Sequence, residues 1–145
     1  MRTTIAAVAA TVLLAGGGAL AAASSASAAT LPPPGGGSWD HTWTTTDSLH
    51  GGTIYVDEHG DMVYLCDTAA DGYAPRADIA SQSSSGQYNS RYGLTASAGK
   101  GSCTGHTASE GGVYNLPEND NILVNVWLGP NVGHDGSDHV FLNDH

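Results

Sequence analysis

Residues 52–66 read G-T-I-Y-V-D-E-H-G-D-M-V-Y-L-C, and their pattern decides the fold. Thr53-Ile54-Tyr55-Val56-Asp57 is β-branched and aromatic, with Ile54 and Val56 on one face. Met62-Val63-Tyr64-Leu65-Cys66 answers it across Glu58-His59-Gly60-Asp61. That tetrapeptide has turn chemistry, because Gly60 can take a positive φ at no steric cost. Two period-two runs around a polar turn predict a β-hairpin.

The same period governs the rest of the chain. Ile122, Val124, Val126 and Leu128 alternate with Leu123, Asn125 and Trp127, so apolar residues fall on both faces, as in a strand central to its sheet. Val113-Tyr114-Asn115-Leu116 precedes it as a further strand, linked by a turn at 117–120 that contains Pro117. Weaker strands are expected at 41–46, 73–80, 88–96, 103–109 and 138–143; Pro75 marks an edge or a late start. No stretch repeats apolar residues at helical spacing for three turns, so no helix is expected. About eight short strands with Gly-rich connections predict an all-β, antiparallel β-sandwich, Ig-like or jelly-roll-like, with a small β-barrel as the alternative.

The chain has 145 residues. Residues 1–29 have the form of a secretory signal peptide: Arg2, an apolar run at 5–20 and the cleavage motif Ala26-Ser27-Ala28, with cutting after Ala28 or Ala29. Gly16-Gly17-Gly18 interrupts the apolar run, which is too short to span a bilayer. Neither a twin-arginine pair nor a lipoprotein cysteine is present. Residues 30–38, T-L-P-P-P-G-G-G-S, form a Pro/Gly-rich linker, and 39–145 form a single domain. The expected location is extracellular, with no membrane association after signal cleavage.

Beyond the signal, 3 basic side chains face 14 acidic ones, a net charge of −11. Three positive charges cannot neutralise a phosphate backbone, which excludes nucleic acid as a partner. Leu, Ile, Val and Phe number 19 of 116 residues, so the core must be thin and supplemented by Trp and Tyr. Cys66 and Cys103 are the only cysteines. In an exported domain they read as a disulfide closing a loop of 37 residues, a constraint of roughly 4 kcal/mol. A reactive thiol would need a base partner that no nearby residue supplies.

The runs G-D-M-V-Y-L-C-D-T-A-A-D-G-Y (60–73), G-K-G-S-C (99–103) and G-G-V-Y-N-L-P-E-N (111–119) resemble those of small secreted actinobacterial (Streptomyces-like) β-rich proteins. The resemblance covers roughly 51–128 and implies one β-rich domain with one disulfide. It brings no catalytic residue with it.

Four groups of residues carry candidate chemistry. Asp57, Glu58 and Asp61 ring one turn and could hold Ca²⁺, although the D-x-D-x-D-G spacing of a preformed loop is missing. His134, Asp135, Asp138 and His139 place two imidazoles and two carboxylates within six residues, a set suited to Zn²⁺ or Cu²⁺, with His145 further on. Asp67 and Asp71-Gly72 have Asx-turn chemistry and present a loop beside Tyr73. Trp43, Tyr55 and Tyr73 belong to an aromatic set that could form an exposed binding surface. Catalysis finds little support: G-x-S-x-G is absent, and His106 has no evident partner. The expected function is a non-enzymatic extracellular module recognising a glycan, cell-wall or protein surface. A metal-binding protein using the 134–139 loop is the alternative, and a small secreted hydrolase comes third.

Overall fold

The computed structural model describes residues 37–145. The expected signal peptide, 1–29, and all but the last two residues of the expected linker, 30–38, lie outside the described residues. The strands are β1 (His41–Thr44), β2 (Gly52–Asp57), β3 (Met62–Asp67), β4 (Pro75–Gln82), β5 (Tyr88–Thr95), β6 (Cys103–His106), β7 (Asp120–Leu128) and β8 (Ser137–Asn143). They form two antiparallel four-stranded sheets, ordered β1-β2-β3-β6 and β5-β4-β7-β8. Neither sheet closes, so the architecture is a sandwich rather than a barrel.

The hairpin read from 52–66 pairs Ile54 with Leu65 and Val56 with Val63, and all four side chains are fully buried. They face Ile79, Ile122, Val124, Val126 and Phe141 of the second sheet. Burying one such side chain contributes about 1.5–3 kcal/mol, which makes this cluster the main source of stability. β7 lies between β4 and β8, as its two apolar faces require. Pro75 opens β4, an inner strand, so the proline marks a late start and not an edge.

Two expected strands are corrected. Residues 112–114 form a 3₁₀ turn instead of extended chain. Gly111 and Gly112 both take positive φ, and the Arg91 guanidinium gathers the carbonyls of Gly112, Val113 and Asn115. A strand would point those carbonyls to alternate sides. Expected strand 103–109 stops at His106, and another 3₁₀ turn (Ala108–Glu110) follows. Glu110 Oε1 accepts the Thr107 N–H at 2.9 Å and fixes that turn.

Cys66 and Cys103 are bonded, with Cα atoms 4.0 Å apart. They are a cross-strand pair that ties β6 to β3 within one sheet. Two residues along, Tyr64 pairs with Gly105, where a Cβ would collide with the Tyr64 ring and the Val63 carbonyl. Glycine is needed there because the ring lies directly over the backbone. Trp39 then covers the same outer face, with ring centroids 5.7 Å from Tyr55 and 5.9 Å from Tyr64.

Candidate metal centre

The β2–β3 turn brings Glu58 and His59 to one end of the sandwich. Its sharp reversal uses positive φ at Gly60 and at Asp61, and aspartate tolerates that conformation better than most residues. The reversal turns Asp61 inward, where it is 2% exposed. Its Oδ2 accepts the Leu116 N–H at 2.9 Å, and its Oδ1 accepts from Asn143 Nδ2 at 3.1 Å. Asp61 therefore clamps the end of β8 beside the β2–β3 turn, across the two sheets.

That clamp places Asp144 and His145 on the turn. The Asp144 N–H donates to Glu58 Oε2 at 3.3 Å. Glu58, itself buried, also meets His41 Nε2 through Oε1 at 2.7 Å. Its own N–H donates to Asp40 Oδ2 at 2.9 Å. Two sets of ligand atoms result, each with mutual separations within 4.8 Å: Asp40, Asp57 and His59, and Glu58, Asp144 and His145. The sets adjoin, because the His59 and His145 rings stack with centroids 4.3 Å apart. Each imidazole also lies by a carboxylate of its own set, His59 at 3.9 Å from Asp57 and His145 at 3.4 Å from Asp144.

Each set offers two carboxylates and one imidazole. Tetrahedral ligands on zinc lie about 3.4 Å apart, given bonds of about 2.1 Å. Closing from 4.8 Å asks for rotations mainly of His59, Asp144 and His145, whose side chains are 72%, 51% and 47% exposed. Glu58 stays fixed. Imidazole binds a divalent ion only through an unprotonated nitrogen, so metal binding weakens in acid.

The structure distributes the residues nominated from sequence differently. Of the acidic turn, Asp57 and Glu58 enter separate ligand sets, while both oxygens of Asp61 are committed within the fold. A Ca²⁺ site shared by those three carboxylates is thereby corrected: Asp61 lies inside the fold, 2% exposed, in neither ligand set, and three carboxylates that do not meet cannot supply the six to eight oxygens Ca²⁺ needs. The 134–139 loop does not assemble a site. His134 pairs with Asp135 at 3.2 Å and lies against the Tyr73 ring. Asp138 accepts from Asn125 across the β7–β8 pair. His139 turns to the neighbouring sheet, where its ring stacks on Trp43 at 4.6 Å and its Nε2 lies 3.0 Å from Ser137 Oγ. Burial there holds the His139 pKa below the usual imidazole value, against the charge of Asp138.

The aromatic surface is corrected as well. Tyr55 is 5% exposed under Trp39, and burial raises its pKa. Trp43 is sandwiched between His41 at 5.0 Å and His139. Tyr73 alone of the three points outward. His106 does have a partner: its Nδ1 lies 2.9 Å from Glu110 Oε2, and this bond lowers the Glu110 pKa. Its ring stacks on Tyr114 at 3.8 Å. Among the described residues no hydroxyl or thiol is hydrogen-bonded to that imidazole, so the dyad forms no nucleophile–base pair.

Sequence reading missed Asp40, His59 and Asp144 as ligand candidates. The local signal was the i, i+1 pairing of acid and imidazole in Asp40-His41, Glu58-His59 and Asp144-His145, which Asp138-His139 shares without joining a ligand set. Compared with family models, with curated proteins and with solved structures, the chain matches none.

Proposed function

We propose that the protein is an extracellular, non-enzymatic binding protein whose ligand is a divalent ion of the zinc and copper class, held at the turn end of the sandwich. The observation that carries this reading is the convergence of three distant segments, 40–41, 57–59 and 144–145, into two adjoining sets of two carboxylates and one imidazole. Mixed nitrogen and oxygen ligands favour zinc and copper over calcium. The acidic excess of 14 to 3 beyond the signal region raises the local concentration of cations. The disulfide suits an oxidising compartment, and among the described residues no helix is long and apolar enough to cross a membrane.

Calorimetric titration of the EDTA-stripped protein with Zn²⁺ and with Cu²⁺ tests the reading. Saturable binding is expected. It should weaken in a His59→Ala/His145→Ala variant by more than the roughly tenfold that even an outer-shell partner contributes. A His134→Ala/His139→Ala variant should bind like the unaltered protein. No heat with either metal rules out the function, and undiminished affinity in the first variant rules out the site.

A further inference from the structure

His59 and His145 belong to different ligand sets, the first with Asp40 and Asp57, the second with Glu58 and Asp144. No residue is common to both sets. The two imidazoles are nevertheless stacked, with centroids 4.3 Å apart and planes 20° from parallel. That stack bears on how many ions the turn end can take.

An imidazole ligates through a lone pair in the plane of its ring, with a metal–nitrogen bond of about 2.1 Å. An ion bound to His59 therefore lies in the His59 plane, and an ion bound to His145 lies in the His145 plane. Two nearly parallel planes, face to face, do not meet within reach of such bonds. While the stack stands, one ion cannot take both rings as ligands. The ring nitrogens also face different carboxylates. His59 Nδ1 is 3.9 Å from Asp57 Oδ1, and His145 Nε2 is 3.4 Å from Asp144 Oδ1.

Charge points to the same number. Asp40, Asp57, Glu58 and Asp144 bring four carboxylates to this end. Among the described residues none of the four is paired with lysine or arginine; Glu58, Asp57 and Asp144 meet only imidazoles. One divalent ion would neutralise half of that charge and leave the other half to attract a second.

We propose, building on the metal-binding reading above, that the turn end holds two divalent ions of the zinc and copper class at once. One sits with Asp40, Asp57 and His59, the other with Glu58, Asp144 and His145, and the imidazole stack lies between them. The 4.3 Å stack, with an ion about 3 Å from each ring centroid, puts the two ions within about 11 Å of each other.

Calorimetric titration of the EDTA-stripped protein with Zn²⁺ counts the ions. Two per chain are expected, falling to one in His59→Ala and to one in His145→Ala. Both rings are exposed, so neither variant removes a core contact. Electron paramagnetic resonance in dilute frozen solution then reads their proximity. With two Cu²⁺ per chain the unaltered protein should show dipolar broadening of the copper signal, and either single variant loaded with one Cu²⁺ should show none. A single ion per chain in the unaltered protein overturns the paired centre and leaves the metal-binding reading standing, whereas no binding of either metal removes both. Two ions without broadening, or a single variant that still binds two, also overturn the pairing.

Discussion

The two ends of the β2–β3 hairpin treat buried carboxylates in opposite ways. At the turn end, both oxygens of Glu58 and both of Asp61 have donors: His41, the Asp144 amide, the Leu116 amide and Asn143. At the disulfide end, Asp67 and Asp71 each keep a buried oxygen with none. A satisfied buried carboxylate is a structural device, since its donors come from elements that must be held together. An unsatisfied one costs stability until something brings a donor. The turn end thus holds Glu58 fixed beside the exposed His59 and His145 rings. The disulfide end keeps two carboxylate oxygens buried without a donor.

Substitutions at the two ends should have different effects. The largest effect is expected from Cys66→Ser/Cys103→Ser, which should lower unfolding free energy by about 2–4 kcal/mol in chemical denaturation and leave zinc binding at the far turn in place. An unchanged midpoint would show that the β3–β6 pairing holds without its cross-link. Next comes Asp61→Ala. It orphans the Leu116 N–H and the Asn143 amide, at a cost of about 2–3 kcal/mol. It should also weaken zinc binding, because Asp144 loses its tether, whereas a purely structural Asp61 would leave the affinity of the folded fraction unaltered.

Asp67→Asn should act in the other direction. Replacing a buried carboxylate that keeps one oxygen unpartnered with a neutral amide should raise stability at neutral pH by up to about 1 kcal/mol. The sign follows from the raised pKa: folding holds the proton more tightly than the unfolded chain does, so this group favours the fold in acid and loses that contribution as pH rises through its raised value. The variant should show a flatter stability profile through that window, and lower stability at neutral pH would count against an unsatisfied Asp67.

The smallest effect belongs to His139. Its pKa is lowered by burial, so the fold favours the neutral ring. Its contribution is present above the usual imidazole value of 6.5 and is lost as pH falls through the lowered one. A His139→Phe variant, which keeps a ring against Trp43, should lose less thermal stability than the unaltered protein between neutral and mildly acidic pH. Identical profiles would remove the stack from the account.

Much of the fold was legible because strand periodicity is a property of adjacent residues. Ile54 and Val56 had to share a face whatever the rest of the chain did, and Leu123 and Trp127 marked β7 as an inner strand. The errors arose where distant groups overrode local pattern. Val113-Tyr114 reads as extended, yet the Arg91 guanidinium on β5 draws its carbonyls into a turn. Tyr55 reads as outward, and it is outward in register, but Trp39 folds back to cover it. The 134–139 loop holds a plausible ligand set in one dimension. Its side chains leave toward Tyr73, Asn125 and Trp43 because those surfaces give each one a better partner than its neighbours do.

The amino-acid sequence alone determined the all-β sandwich, the hairpin turn and the cysteine pair, since alternation, turn chemistry and a two-cysteine count need no tertiary information. Tertiary structure decided which charged groups meet. Glu58, Asp144 and His145 lie up to 87 residues apart in sequence and converge because Asp61 clamps the end of β8 to a turn in the opposite sheet. Asp67 and Glu58 are carboxylates of one hairpin, indistinguishable by local pattern. Glu58 gains its donors from β1 of its own sheet and from Asp144 after β8 of the other, whereas Asp67 keeps one buried oxygen without a donor.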